Sequence, residues 1–187
     1  MPSAADELLA RQRTLGRPLR FDDYLDVALY GEHGFYSVVG SAGRRGDFLT
    51  APEVGPLFGA VVARWIDAEF RRLGEPSNFT VTEVGAGPGT FARSILLADP
   101  RWHGRYVAVE RSASQRERHP DGVTSTDRMP ENATPGVVIA NELLDNIPFR
   151  LAVFDGGWRE AFVRVRDDGG LEEITTPASD VWHWLPR

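Results

Sequence analysis

Apolar positions along this chain follow two alternating patterns, and together they predict an α/β fold. Phe79 to Val84, Tyr106 to Val109 and Gly136 to Ala140 are short unbroken apolar runs, rich in β-branched and aromatic residues, with the length of strands. Gly136-Val137-Val138-Ile139-Ala140 carries no polar side chain, the mark of a central parallel strand buried on both faces. Val123-Thr124-Ser125-Thr126 is a shorter and more polar strand, with Asp127 near its end. Elsewhere the period lengthens to that of a helix. Leu57, Phe58, Val61, Val62, Trp65, Ile66 and Phe70 recur at helical spacing before Gly74, and the stripe containing Trp65 reads as core packing. Phe91 to Ala98 fits a second helix, and Ser112 to Arg118 a short polar one. Strands and helices in alternation predict a parallel sheet.

The flanks follow other patterns. Ala4 to Thr14 sets Leu8 and Leu9 on a charged background, a weakly amphipathic helix. Phe21 to Tyr30 opens with Asp22 and Asp23, as a helix N-terminus prefers, and stops at Gly31. Gly34-Phe35-Tyr36 reads as an aromatic turn that anchors packing. After Leu151 the period drops to two: Trp158 to Arg166 and Leu171 to Thr175 flank Asp168-Gly169-Gly170, a hairpin. Pro177 to Arg187 holds Trp182 and Trp184 without periodicity. Residues 1–75 therefore read as an N-terminal helical extension, and 76–187 as a sheet core with a C-terminal hairpin.

Composition narrows the chemistry. A chain of 187 residues supports one globular domain with a proper core. A net charge of -6 and a pI near 5.2 argue against a nucleic-acid-binding surface, although Arg44-Arg45 and Arg71-Arg72 are local basic pairs. The chain has no cysteine and no lysine, which removes disulfides, thiolate chemistry, Schiff bases and a phosphate-loop lysine. His33, His103, His119 and His183 are scattered, so no metal site is expected. Met1 to Gly16 lacks the apolar core of a secretory signal, and no run is long enough to cross a bilayer. The expected compartment is the cytoplasm, with no membrane insertion.

The candidate chemistry centres on Glu83-Val84-Gly85-Ala86-Gly87-Pro88-Gly89-Thr90, which joins the first strand to a helix. Such a turn brings bare backbone, its N–H groups and a helix N-terminus to a ligand. Its G-x-G-x-G spacing with a preceding acid differs from the dinucleotide pattern. A carboxylate at Glu83 repels a pyrophosphate but accepts hydrogen bonds from an ammonium or a hydroxyl. The turn therefore favours a cationic or neutral nucleoside such as S-adenosyl-L-methionine. Glu110 closes the next strand about 20 residues on, where a ribose-binding acid belongs. A glycine turn alone also serves as a plain connector; two acids in register tip the reading toward a cofactor. Expected cofactor contacts are Glu83, Gly85, Ala86, Gly87, Gly89, Glu110 and Asn141.

Two further segments offer polar groups. Asn141, Glu142 and Asp145 follow the fourth strand and are expected to face the same crevice, with helix capping by Asn141 as the competing account. The loop from Gly40 to Pro56 sets Asp47, Thr50 and Glu53 beside Phe48 and Leu49; capping at Thr50 or Glu53 is the alternative there.

Taken in order, Gly46-Asp47-Phe48-Leu49-Thr50-Ala51-Pro52-Glu53, the glycine turn, and Ala140-Asn141-Glu142-Leu143-Leu144-Asp145-Asn146-Ile147-Pro148 resemble the MidA-type S-adenosylmethionine-dependent methyltransferases. The resemblance extends over Tyr24 to Tyr36 and the Gly157-Trp158-Arg159-Glu160 hairpin, most of the chain. It implies a Rossmann-like sheet, methyl transfer, and cofactor binding at Glu83, Gly85, Gly87 and Glu110. Mitochondrial members act on an arginine of a respiratory complex I subunit and assist its assembly, which implies a protein substrate with a guanidinium acceptor. Family members continue well beyond this length, and the stretch from Glu110 to Val137 is short for them. The chain is therefore expected to be an N-terminal portion with an incomplete sheet, its edge open unless the hairpin or a partner covers it. Carboxylates suit a guanidinium because they hold its fork bidentately. Glu142 and Asp47 are expected in that role, with Asp145 and Glu53 in reserve. A non-catalytic binding or assembly module, and a small-molecule methyltransferase acting on amines or guanidines, are the alternatives.

Overall fold

The computed structural model describes residues 3–37, 54–131 and 134–178, and the chain forms two units that interleave along the sequence: Met1–Val38 with Leu144–Arg187, and Val39–Leu143. Helix α1 (Ala4–Leu15) starts at a capping box. The Ser3 side chain accepts from the Asp6 N–H at 3.3 Å, while the Ser3 N–H donates to the Asp6 carboxylate at 2.8 Å. Strand β1 (Leu19–Arg20) leads into α2 (Phe21–Tyr30), which stops at Gly31. The second unit contains α3 (Pro56–Arg72), β2 (Thr80–Val84), α4 (Thr90–Ala98), β3 (Tyr106–Val109), α5 (Ala113–Arg116), β4 (Val123–Thr126) and β5 (Gly136–Ile139). Strands β6 (Ala152–Phe154), β7 (Trp158–Val165) and β8 (Leu171–Pro177) return to the first unit.

In the first unit β7 is the hub of an antiparallel sheet, pairing with β1, β6 and β8. Leu8, Leu19 and Val165 are buried together, with Leu9, Leu15, Tyr24 and Val27 packed around them. Because β1 has only two residues, its ladder ends at Leu19↔Val163, short of Val165. Gln12 of α1 takes over there. Its amide nitrogen donates to the Val165 carbonyl and its oxygen accepts from the Val165 N–H, both at 2.8 Å, so a side-chain amide extends the ladder. Glu160 is buried and held by the Arg150 fork at 2.6 and 2.5 Å. Tyr30 and Tyr36 donate their hydroxyls to the backbone and side-chain oxygens of Asn146, each at 2.7 Å, so the aromatic turn is the packing anchor expected. Neither β1 nor β6 was expected. Two and three residues are too few to show a period of two.

In the second unit all strands are parallel in the order β4-β3-β2-β5. Counted from β2, this is the 3-2-1-4 order of a doubly wound sheet, with its switch point between β2 and β5. Val81 sits opposite both Tyr106 and Val137, and with Phe79, Trp102, Ile66 and Ile95 it lies in one apolar core. Helix α3, grouped along the sequence with the N-terminal extension, packs in this unit on α4. The two helices approach closely at Gly59, where a Cβ would meet the Ser94 Cβ at 2.3 Å and the Ser94 carbonyl carbon at 2.9 Å. Phe58 stacks on Phe91 beside that crossing, with ring centroids 5.1 Å apart.

Two expectations need correction. Leu57, Val61 and Trp65 form no part of the core: all three are exposed, Trp65 by 48%. Seven apolar positions cover more of a helix than one contact face can bury, and α3 turns Gly59, Ala63 and Ile66 inward instead. Nor is β5 a central strand buried on both faces. Among the described residues it has β2 as its one ladder neighbour, since β7 and β8 pair in the other sheet. Successive side chains point to opposite faces; Val137 is buried on the side where α3 packs, while Val138 is 64% exposed. No helix of the described residues is long and apolar enough to cross a membrane.

Gly59→Ala tests the helix crossing. Alanine is the better helix former by about 1 kcal/mol. The clash at Ser94 should nonetheless lower stability by about 1–3 kcal/mol. Thermal melts would measure this, and a stabilised variant would show that α3 and α4 are not closely packed there.

Candidate functional site

Strand β2 ends in a turn that is fastened to its neighbour β3. Gly85, Gly87 and Gly89 have φ of +74°, +54° and +76°, a left-handed region that strains any side chain, which is why glycine recurs at every second position. The Val109 carbonyl accepts from the Gly85 and Ala86 N–H groups at 2.9 and 3.0 Å, and Ala86 O accepts from Gly89 N–H at 2.9 Å. Glu110, buried at the end of β3, accepts from the Gly87 N–H at 3.0 Å and from the Ser112 N–H at 2.7 Å. The expectation that the N–H groups of the turn point at a ligand is therefore corrected. The β3 carbonyl and Glu110 lie against the turn and take them. What the turn leaves open is bare backbone: among the described residues, a Cβ on Gly87 would meet nothing within 4 Å. An anion-binding nest needs convergent free N–H groups, and Gly85, Ala86, Gly87 and Gly89 do not supply them.

Glu83 lies on the same face of the sheet as Val81 and Tyr106, since alternate residues of β2 share a face and Val81 pairs with Tyr106. It is 3% exposed, and the Tyr106 hydroxyl donates to its Oε2 at 2.8 Å. Burial pushes the Glu83 carboxyl up to about 8; the Tyr106 hydrogen bond opposes the rise and the charge of Glu110 adds to it. Burial also raises the Tyr106 phenol, which therefore stays a donor.

His119 closes the other side of the turn. Its Nε2 donates to the Gly87 carbonyl at 2.9 Å, and its Nδ1 lies 2.9 Å from Ser125 Oγ. A carbonyl can only accept, so Nε2 carries the proton, and in the neutral ring Nδ1 accepts from Ser125. Burial lowers the His119 pKa and favours that neutral ring. His119 was not singled out from the sequence. It meets Gly87 across 32 residues, and no local pattern marks such a contact.

The segment after β5 reaches the same turn. A Cβ on Gly85 would meet Leu143 Cδ1 at 2.8 Å, so Leu143 covers the turn where it leaves β2. Asn141 is half-buried, and Glu142 is exposed with φ of +50°, rare for a residue with a long side chain. No α-helix begins here, only a 3-10 turn at Leu144–Asn146, so the capping account of Asn141 has no α-helix to act on. Glu83, Gly85, Ala86, Gly87, Gly89, Glu110, Asn141 and Glu142 are thus gathered along the C-terminal edge of one parallel sheet. Asp145 belongs to the other unit, in the 3-10 turn, where its Oδ1 accepts from Asn146 Nδ2 at 3.1 Å. Asp47, Phe48, Leu49, Thr50 and Glu53 lie outside the described residues, as do Arg44, Arg45, Trp182 and Trp184. Among the described residues no three histidine, aspartate or glutamate side chains cluster as metal ligands would.

Comparison with known proteins agrees with this geometry. A family model described as "Putative S-adenosyl-L-methionine-dependent methyltransferase" matches residues 61–183. The chain is 29% identical to "Protein arginine methyltransferase NDUFAF7 homolog, mitochondrial" of Drosophila melanogaster, over 98% of this chain and 52% of that protein. The Caenorhabditis elegans protein of the same name is 26% identical over 69% of this chain and 37% of its own. A crystal structure of a COG1565 superfamily member from Burkholderia thailandensis bound to S-adenosyl-homocysteine superposes with a TM-score of 0.80 at 32% identity. It is matched over 94% of this chain and 50% of its own length. The chain spans about half the length of the Drosophila protein and of this solved structure.

The buried Glu83 gives the folded chain a pH signature. Its folded pKa lies above the ordinary value of 4.5, so the stability it contributes is complete below that value and is lost as pH rises through about 8. Denaturant melts between pH 5 and 9 should show stability falling by up to a few kcal/mol with increasing pH, since each pKa unit corresponds to about 1.4 kcal/mol. Glu83→Gln should flatten that part of the profile; an equally steep fall in the variant would assign it to another group.

Proposed function

Since the chain belongs to the S-adenosyl-L-methionine-dependent methyltransferase family whose model it matches, we propose that it binds S-adenosyl-L-methionine at the C-terminal edge of the parallel sheet and methylates an arginine of a protein. The observation that carries this reading is the glycine turn at the switch point, with its own N–H groups engaged and a carboxylate at the end of each of the first two strands. The residues present fit that cofactor: Gly87 leaves room for a ligand against the main chain, and two carboxyl groups offer acceptors where a phosphate site offers donors. When bound, the cofactor supplies a methyl group on a positively charged sulfur.

The roles of individual residues follow from their chemistry. Glu110 uses one acceptor position on each oxygen for Gly87 and Ser112, and a carboxylate has about four, so two remain for the ribose hydroxyls. Glu83 faces the cationic end. Gly85, Ala86, Gly87 and Gly89 shape the floor, and Asn141 borders it from β5. Glu142 holds the acceptor guanidinium, and Asp47 and Asp145 are the further candidates for that role. A carboxylate grips the guanidinium fork bidentately, aligns the reacting nitrogen and accepts the proton it gives up. The left-handed backbone at Glu142 supports this assignment, because such strain persists where the surrounding structure imposes a particular side-chain direction. The arginine-methyltransferase names of the relatives make a protein the proposed substrate class. A cytoplasmic compartment is the further part of this proposal.

Calorimetric titration of the full chain with S-adenosylhomocysteine tests cofactor binding. Gly85→Val, which adds bulk against Leu143 and a β-branched side chain at positive φ, should weaken it by at least about tenfold, or 1.4 kcal/mol. No binding by the folded wild-type chain would overturn the reading. Glu142→Ala should keep the affinity for S-adenosylhomocysteine within about threefold, less than 1 kcal/mol, yet lose transfer of labelled methyl groups to arginine in extract proteins. Equal labelling by variant and wild type would remove Glu142 from its role.

A further inference from the structure

The pairing of Tyr106 with Glu83 is not explained by packing alone. A phenylalanine at the start of β3 would fill the core equally well. A buried hydroxyl is costly unless it has a partner, and this one donates to a buried carboxyl at 2.8 Å. The face of the sheet around the pair belongs to a core that includes Ala63, Ile66, Phe91, Ala92 and Ile95 of the two helices, none of them titratable. On the strands, Ala108 and Ile139 are the register partners of Glu83. Among the described residues the titratable groups acting on Glu83 are thus Tyr106, through its hydrogen bond, and Glu110, through its charge.

We propose that Tyr106 is a positioning residue of the cofactor site, tuning Glu83 so that a cationic ligand seated at the glycine turn makes Glu83 give up its proton to solvent. The inference rests on the cofactor reading above. Its physical basis is a balance of opposed effects. The hydrogen bond from Tyr106 is stronger to an ionised carboxylate than to a neutral carboxyl, so it favours ionisation. Burial and the neighbouring negative charge of Glu110 oppose it, and they prevail in the free chain. An ammonium or sulfonium brought beside Glu83 supplies the opposite charge that reverses the balance. The carboxyl O–H bond then breaks, its electron pair stays on oxygen and the proton leaves to buffer. Tyr106 keeps its own proton throughout, because burial holds the phenol well above its ordinary value.

Calorimetric titration with S-adenosylhomocysteine, which carries the ammonium, tests this when run between pH 6 and 8.5 in phosphate and in Tris. The two buffers differ in ionisation heat, so the apparent enthalpies report protons released. The wild-type chain should release close to one proton near pH 7 relative to Glu83→Gln, a comparison that subtracts any titration of the ligand itself. Its affinity should rise toward tenfold per pH unit up to about 8 and then level off. Tyr106→Phe should move that midpoint up and weaken binding at pH 7 by about tenfold, one pKa unit, with affinities converging as pH rises. A uniform loss at every pH would make Tyr106 merely structural and overturn the proposal. Binding by wild type with no proton released beyond Glu83→Gln would overturn it while leaving the cofactor site standing. Should Tyr106→Phe fail to fold, the wild-type and Glu83→Gln comparison still decides whether the proton leaves Glu83. No binding at any pH would instead sink the cofactor reading itself.

Discussion

The Glu110 carboxylate ties two stretches of main chain together, and the geometry of the sheet edge depends on that tie. One oxygen takes the Gly87 N–H from the turn after β2, the other the Ser112 N–H just past β3. The Val109 carbonyl adds two more bonds to the same turn. Backbone N–H groups buried without partners would be costly, so the turn is held where these acceptors lie. Three left-handed glycines let the main chain follow that path. The turn is set by strand register and hydrogen bonds before any ligand arrives, which is the preorganisation a binding site requires.

This arrangement also decides which charges the edge accepts. A phosphate-binding turn keeps its N–H groups free and adds a lysine; here the N–H groups are engaged, and the chain contains no lysine. In their place stand the carboxyl groups of Glu83 and Glu110 on neighbouring strands. Burial, with the charge of Glu110 adding to it, pushes Glu83 toward its neutral form. Glu110 accepts from two backbone N–H groups, whereas Glu83 accepts from the Tyr106 hydroxyl and is the more deeply buried. The edge thus holds a second carboxyl whose ionisation, on the proposal above, depends on what binds.

The fold was legible in the sequence where local pattern and tertiary environment agree. The apolar runs of β2, β3 and β5, the helix at Phe21–Tyr30 and the Asp168-Gly169 hairpin carry their periods within themselves. The glycine spacing likewise marked the turn that the structure displays. Other features depend on contacts that no window of sequence contains. Gln12 completes a ladder 153 residues away, and His119 reaches Gly87 from beyond β3. Apolar pattern also says how much surface a segment prefers to bury, not which side is covered. That is why Trp65 and Val138, though placed in the core from periodicity, stand exposed.

The segment after β5 links the two halves of the proposed chemistry. Leu143 covers Gly85, where an added Cβ would meet Leu143 Cδ1 at 2.8 Å, and Glu142 immediately precedes it in a left-handed conformation. The path of Glu142 is therefore set from both ends: by β5, in register with β2, and by the glycine turn beneath Leu143. In-line transfer is sensitive to misplacement of about 1 Å, so a donor site and an acceptor carboxylate gain from sharing one packed contact. On this view the smallness of Gly85 serves alignment as much as ligand access. It lets the segment proposed to hold the acceptor rest directly on the turn proposed to hold the donor.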